Sequence, residues 1–131
     1  MRKRKPKKRV ANPRVPRTRA EGTWTEAQYF SYIRGGLRRL STRYPVKYAV
    51  RLANRRTVKG KRHKFEYQCA ECNKWKKDKD VDVDHIIPAG SLRKYDDLPG
   101  FVERLFCEAD GMQILCKICH KKKTELERSK R

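Results

Sequence analysis

Two short stretches carry residue types able to do chemistry. Val81 to Pro88 reads V-D-V-D-H-I-I-P, and Cys116 to Thr124 reads C-K-I-C-H-K-K-K-T. In the first, β-branched Val81 and Val83 predict a short strand, which Pro88 and Gly90 end in a loop. Asp84 and His85 sit where that strand stops. Adjacent side chains of a strand point to opposite faces, so this carboxylate and imidazole can flank one bound group from two sides. In the second stretch a C-x-x-C pair runs directly into His120 on what reads as a helix. Asp84, His85 and His120 are therefore the candidate catalytic residues.

A second C-x-x-C, Cys69/Cys72, precedes them, and 43 residues separate it from Cys116/Cys119. Two such hooks supply four thiolates, the donor set structural zinc prefers, and predict a four-cysteine zinc site that ties the first hairpin to the last helix. The gap is longer than in a compact zinc ribbon, as an inserted active-site segment would require. Phe65 to Gln68 reads as an aromatic strand leading into the first hook, a pattern similar to a zinc knuckle. Cys107 is left over as a buried core cysteine, and His63, in a basic loop, reads as a solvent or phosphate contact.

Composition limits what can surround these residues. Hydrophobic residues make up 37% of the chain and charged residues 39%, so the core must be small and a staple, a metal or disulfides, is expected. The net charge of +21 points to a polyanionic partner. No apolar run approaches the roughly 18 residues a membrane span needs. The basic start is followed by no apolar region, which speaks against a secretory signal. Paired cysteines read as metal ligation in a reducing compartment, so a cytoplasmic protein is expected.

The elements that must position the site run in chain order. Residues 1–20 hold ten Lys/Arg and no acid, and read as a disordered, phosphate-binding arm, with 1–22 as its domain range. Removing those charges leaves +11, so the remainder is basic too. A helical leader over 23–58 opens on a capping box, Thr23 with Glu26. Phe30, Ile33, Leu37 and Leu40 then form one stripe, Pro45 closes that helix, and 46–55 forms a second. Over 59–131, a helix is expected from Leu98 to Phe106, a strand from Met112 to Leu115 and a last helix from Lys117 to about Arg128. Lys121, Lys122 and Lys123 read as a solvated face with one lysine near phosphate.

Taken together, V-D-H-I with Pro88 and L-C-x-x-C-H-x-x-K-T from Leu115 to Thr124 resemble the HNH endonucleases. The resemblance covers Phe65 to about Arg128, roughly half the chain. It implies a small α+β fold with a ββα-metal (His-Me finger) nuclease core. It also implies divalent-metal-dependent hydrolysis of DNA phosphodiester bonds, with His85 as general base. Asp84 and His120 would be ligands of one cation: Mg2+, Mn2+, Ni2+ or another transition metal. The helical leader is similar to that of small phage-encoded members, which implies DNA as substrate, host cytoplasm as location, and genome processing or packaging beside a terminase. A monomer that nicks, or a weak dimer, follows from one site cutting one strand. The chain departs from the family where its middle asparagine would stand, at Gly111. That position steadies a loop and lends its carbonyl to the base histidine. Gly111 keeps the carbonyl, and Asp110 beside it offers a polar or metal-linked group. The alternative is a non-catalytic zinc-stapled nucleic-acid-binding protein, which explains the charge and the cysteines but not the trio Asp84, His85 and His120.

Overall fold

The computed structural model describes residues 15–130, so residues 1–14 of the expected arm lie outside it. The described chain is a small α+β protein with two small antiparallel sheets and four helices. Helix α1 spans Glu26–Ser41 and α2 spans Pro45–Ala53. Strands β1 (Arg55–Thr57), β2 (Phe65–Gln68) and β3 (Trp75–Lys77) form one sheet in that order. Strands β4 (Val81–His85) and β5 (Met112–Cys116) form the other, with α3 (Leu98–Leu105) between them and α4 (Lys117–Ser129) after them. No helix among the described residues is long and apolar enough to cross a membrane.

The start of α1 differs from expectation. Its capping box is Thr25 with Gln28: the Gln28 N–H donates to Thr25 Oγ1 at 3.2 Å, and the Thr25 N–H to Gln28 Oε1 at 2.8 Å. Thr23 and Glu26 fit the same sequence rule but are engaged elsewhere. Thr23 donates its hydroxyl to the Ala20 carbonyl in a turn whose Ala20, Glu21 and Gly22 are all left-handed, and Glu26 pairs with Arg19 at 3.2 Å. That turn closes as an Arg19–Trp24 bridge, and Arg19 lies 4.7 Å from the Tyr29 ring centroid. Residues 17–22, assigned to the arm, are thus docked on α1.

Phe30 is buried and Ile33 and Leu37 pack with it, yet Leu40 is 60% exposed and Ser41 is buried instead. At 100° per residue, Ser41 falls about 20° from Phe30 and Leu40 about 80° to the other side. Pro45 opens α2 rather than closing α1, because a missing N–H is harmless in a first helical turn. The second helix also ends early, and Arg55 to Thr57 pair with β2 as a strand. Arg55 stacks on Phe65 at 3.8 Å and Arg56 on Trp75 at 4.3 Å, which ties this charged strand to its aromatic neighbours.

Two apolar clusters join the helical leader to the rest of the chain. Phe30 of α1 packs with Leu92, Phe101 and Leu105, and Val50 of α2 packs with Tyr67, Val81, Met112 and Ile114. Each such side chain contributes about 1.5–3 kcal/mol on burial. The boundary expected at 58/59 therefore crosses a continuous sheet and a shared core.

Candidate metal centre and cleft

The four cysteines meet as their spacing requires. Cys69 and Cys72 lie on the turn after β2, where Asn73 adopts φ 60° and its N–H reaches the Cys69 carbonyl at 2.9 Å. An Ala70 N–H to Ile114 carbonyl bond of 2.8 Å fixes this turn against β5. Cys116 is the N-cap of α4, and Cys119 sits in its first turn. All four sulfurs lie within 4.8 Å of one another, and Cys72 and Cys116 are 3.9 Å apart. A tetrahedron of 2.3 Å zinc–sulfur bonds has edges of about 3.8 Å, so the cluster could hold a structural metal such as zinc. Burial pushes the Cys69 thiol up, but the N–H groups of Cys72, Cys116 and Glu71 outweigh it and bring it to about 6. Cys119, donating to Cys116, is pushed up to about 12.

Strand alternation sends Asp82 and Asp84 toward α4, and His85 the other way. Asp84 Oδ1 lies 3.4 Å from His120 Nε2, while Asp82 Oδ2 lies 3.3 Å from His120 Nδ1. His85 Nε2 lies 2.8 Å from the Leu105 carbonyl. A carbonyl only accepts, so Nε2 carries a proton, and in the neutral tautomer this selects the free lone pair is on Nδ1. Asp84, His85 and His120 line one cleft of about 440 Å³, joined by Arg38 of α1, Lys47 of α2 and Arg128 of α4. Burial lowers the pKa of Lys47.

Several expectations are corrected here. The carbonyl that holds the His85 ring is that of Leu105, and the Gly111 carbonyl accepts the Ile86 N–H at 3.0 Å. Gly111 has its own reason. A Cβ there would stand 2.7 Å from Cys107 Sγ and 3.1 Å from Cys107 Cβ, so any side chain collides with this half-buried cysteine. Asp110 is exposed in the turn Ala109–Gly111. Lys123 belongs to no solvated face; it donates to Asp84 Oδ2 and to the carbonyls of His85 and Ile86. His63 lies 3.1 Å from the buried Glu66 carboxylate, which Arg56 and Lys61 also bind.

Asp82, Gln113 and Lys123 escaped the reading of the sequence as site neighbours. Asp82 stands two residues before Asp84, and Lys123 three after His120, so each shares a face with a candidate residue. Gln113 faces Asp84 only through the β4–β5 register, which pairs Asp84 with Gln113. No family model, no curated protein and no solved structure matches the chain. Fold and site together define a small, basic α+β protein whose four clustered cysteines could hold a metal.

Proposed function

We propose that the chain is a divalent-metal-dependent DNA endonuclease of the HNH type. The observation that carries this reading is the 3.4 Å approach of Asp84 Oδ1 to His120 Nε2 beside His85, in a cleft edged by Arg38, Lys47 and Arg128. One carboxylate oxygen and one imidazole nitrogen suit a single Mg2+, Mn2+ or Ni2+ ion that keeps several waters. Asp84 and His120 would hold it. When bound, such an ion supplies positive charge to a non-bridging phosphate oxygen and to the departing 3′ oxygen.

The chain's own residues do the rest. Arg38, Lys47 and Arg128 come from three helices and draw a phosphodiester into the cleft. His85 Nδ1, its tautomer fixed by the Leu105 carbonyl, takes a proton from the attacking water. The water oxygen bonds to phosphorus and the P–O3′ bond breaks; the 3′ oxygen takes a proton from bulk water and His85 gives its own back to solvent, so the products carry 5′-phosphate and 3′-hydroxyl ends. One centre cuts one strand, so nicking is expected. Affinity rests on phosphate contacts, so it falls steeply with salt and sequence preference is low.

The test is conversion of supercoiled plasmid to open-circle form by zinc-loaded protein with Mg2+, Mn2+ or EDTA, compared with His85→Ala. Metal-dependent nicking that disappears in the variant supports the reading. Zinc-loaded wild type that cuts with none of these metals, yet binds DNA in a salt-sensitive way, favours the second reading: a non-catalytic nucleic-acid-binding module. The observation on that side is the basic sheet of β1 to β3, where Arg55 and Arg56 are stacked on aromatic rings.

A further inference from the structure

The two oxygens of Asp84 are used unequally. Oδ2 accepts the Gln113 amide at 3.1 Å and the Lys123 ammonium. The same ammonium donates to the carbonyls of His85 and, at 3.3 Å, of Ile86, so all three of its protons are engaged. Oδ1 instead faces His120 Nε2. Both capping groups are set by the backbone: Gln113 is the cross-strand partner of Asp84, and Lys123 lies one turn beyond His120 on α4.

We infer that Gln113 and Lys123 cap one oxygen of Asp84, so that the carboxylate offers a cation a single oxygen and the cleft selects small octahedral ions such as Mn2+ over Ca2+. The inference rests on the nuclease reading for the location of the ion. Ca2+ takes six to eight oxygen ligands and gains from a carboxylate that binds through both oxygens, whereas smaller ions need one oxygen per carboxylate and retain water. The imidazole of His120 further favours a transition metal over Ca2+. Lys123 has a second effect, since its charge weakens every cation at Asp84, while Gln113 caps without charge. Both are positioning residues.

The experiment is calorimetric titration of Mn2+ and Ca2+ into the zinc-loaded full chain, for wild type, Gln113→Met and Lys123→Met, with plasmid nicking by wild type read in parallel. Wild type is expected to bind Mn2+ more tightly than Ca2+. Each variant should raise the Ca2+-to-Mn2+ affinity ratio about tenfold, the scale on which such outer partners act. Lys123→Met should also tighten both ions, and Gln113→Met should not. If Lys123→Met loses zinc or helix content, Gln113→Met alone decides. An unchanged ratio in a folded variant overturns the cap, even if wild type nicks DNA. A shifted ratio without nicking keeps the cap and removes the nuclease reading, and wild type that binds no Mn2+ overturns both.

Discussion

The pair of strands β4 and β5 with α4 carries at one end a four-cysteine cluster that could hold a metal and at the other an acid–imidazole cleft, and the two are built on opposite rules. At the cysteine end four sulfurs face one another, Cys69 and Cys116 buried, Cys119 half-buried and Cys72 exposed, and the donor set of a tetrahedral ion is complete. At the cleft end the donors are few: Asp84 is shared with a lysine and an amide, His85 with a carbonyl, and His120 with the carboxylates of Asp82 and Asp84. A closed centre, with four protein ligands, would serve stability, whereas the proposed open one, with two, would leave room for a substrate and for water.

The largest expected effect comes from breaking the closed end. Removing the metal with a strong chelator, or Cys116→Ser, takes away a staple of the kind worth about 10 kcal/mol in small zinc domains. Circular dichroism should lose helix signal and metal analysis should lose zinc together. The comparison fails if a zinc-free chain melts like the loaded one. At the open end the proposed His85→Ala should reduce nicking about 10²- to 10⁴-fold, the usual share of a general base. Its melting temperature should stay near wild type, because the ring gives up one hydrogen bond to Leu105. A collapse of stability in this variant would instead assign His85 a structural part.

This contrast also explains what could be read in advance. Spacing alone located the closed end, because two C-x-x-C hooks have one common use in a small basic chain. Asp84 and His120 were expected together from the staple between the two hooks and from the resemblance, and they do lie 3.4 Å apart. The open end depends on partners that no local pattern encodes. Gln113 meets Asp84 through cross-strand register, and Leu105 meets His85 from a helix 20 residues later. Where two local rules competed, tertiary contacts decided. Thr23 and Thr25 both satisfy the capping pattern, and docking of Arg19 on Tyr29 and Tyr95 selects the second. Strands β1 and β3 are charged and short, and gain their stability from ring stacking and the pairing with β2.

Gly111 sharpens the comparison at a smaller scale, because it supports the loop behind the cleft through the Ile86 N–H without touching Asp84 or His120. Gly111→Asn puts a Cβ into Cys107, an overpacking worth about 1–3 kcal/mol. Chemical denaturation should show that loss. Cys107→Ala, which removes the sulfur that is met, should recover most of it in the double variant. Additive losses in the cycle would mean the two residues do not meet, and would leave the glycine without a packing reason.

The smallest effect concerns the sheet that carries the cysteine turn. Glu66 of β2 is buried three residues before Cys69, and hydrogen bonds from Arg56, His63 and Lys61, in that order, hold its carboxyl at about 2 instead of 4.5. A carboxyl depressed on folding stabilises the protein above its unfolded value and ceases to do so as it gains a proton. The contribution is therefore complete above pH 4.5 and is lost as pH falls from there toward 2. Acid also protonates the cysteines and releases the metal, so wild type alone cannot isolate Glu66. The difference in denaturation midpoint between wild type and Glu66→Gln can, since metal loss is common to both. Wild type should be the more stable at pH 7, and the gap should narrow through the acid range. A gap independent of pH would mean that the cations around Glu66 act by shape and hydrogen bonding rather than by charge. The sheet behind the cysteine end would then owe its support to packing and neutral hydrogen bonds rather than to ion pairing.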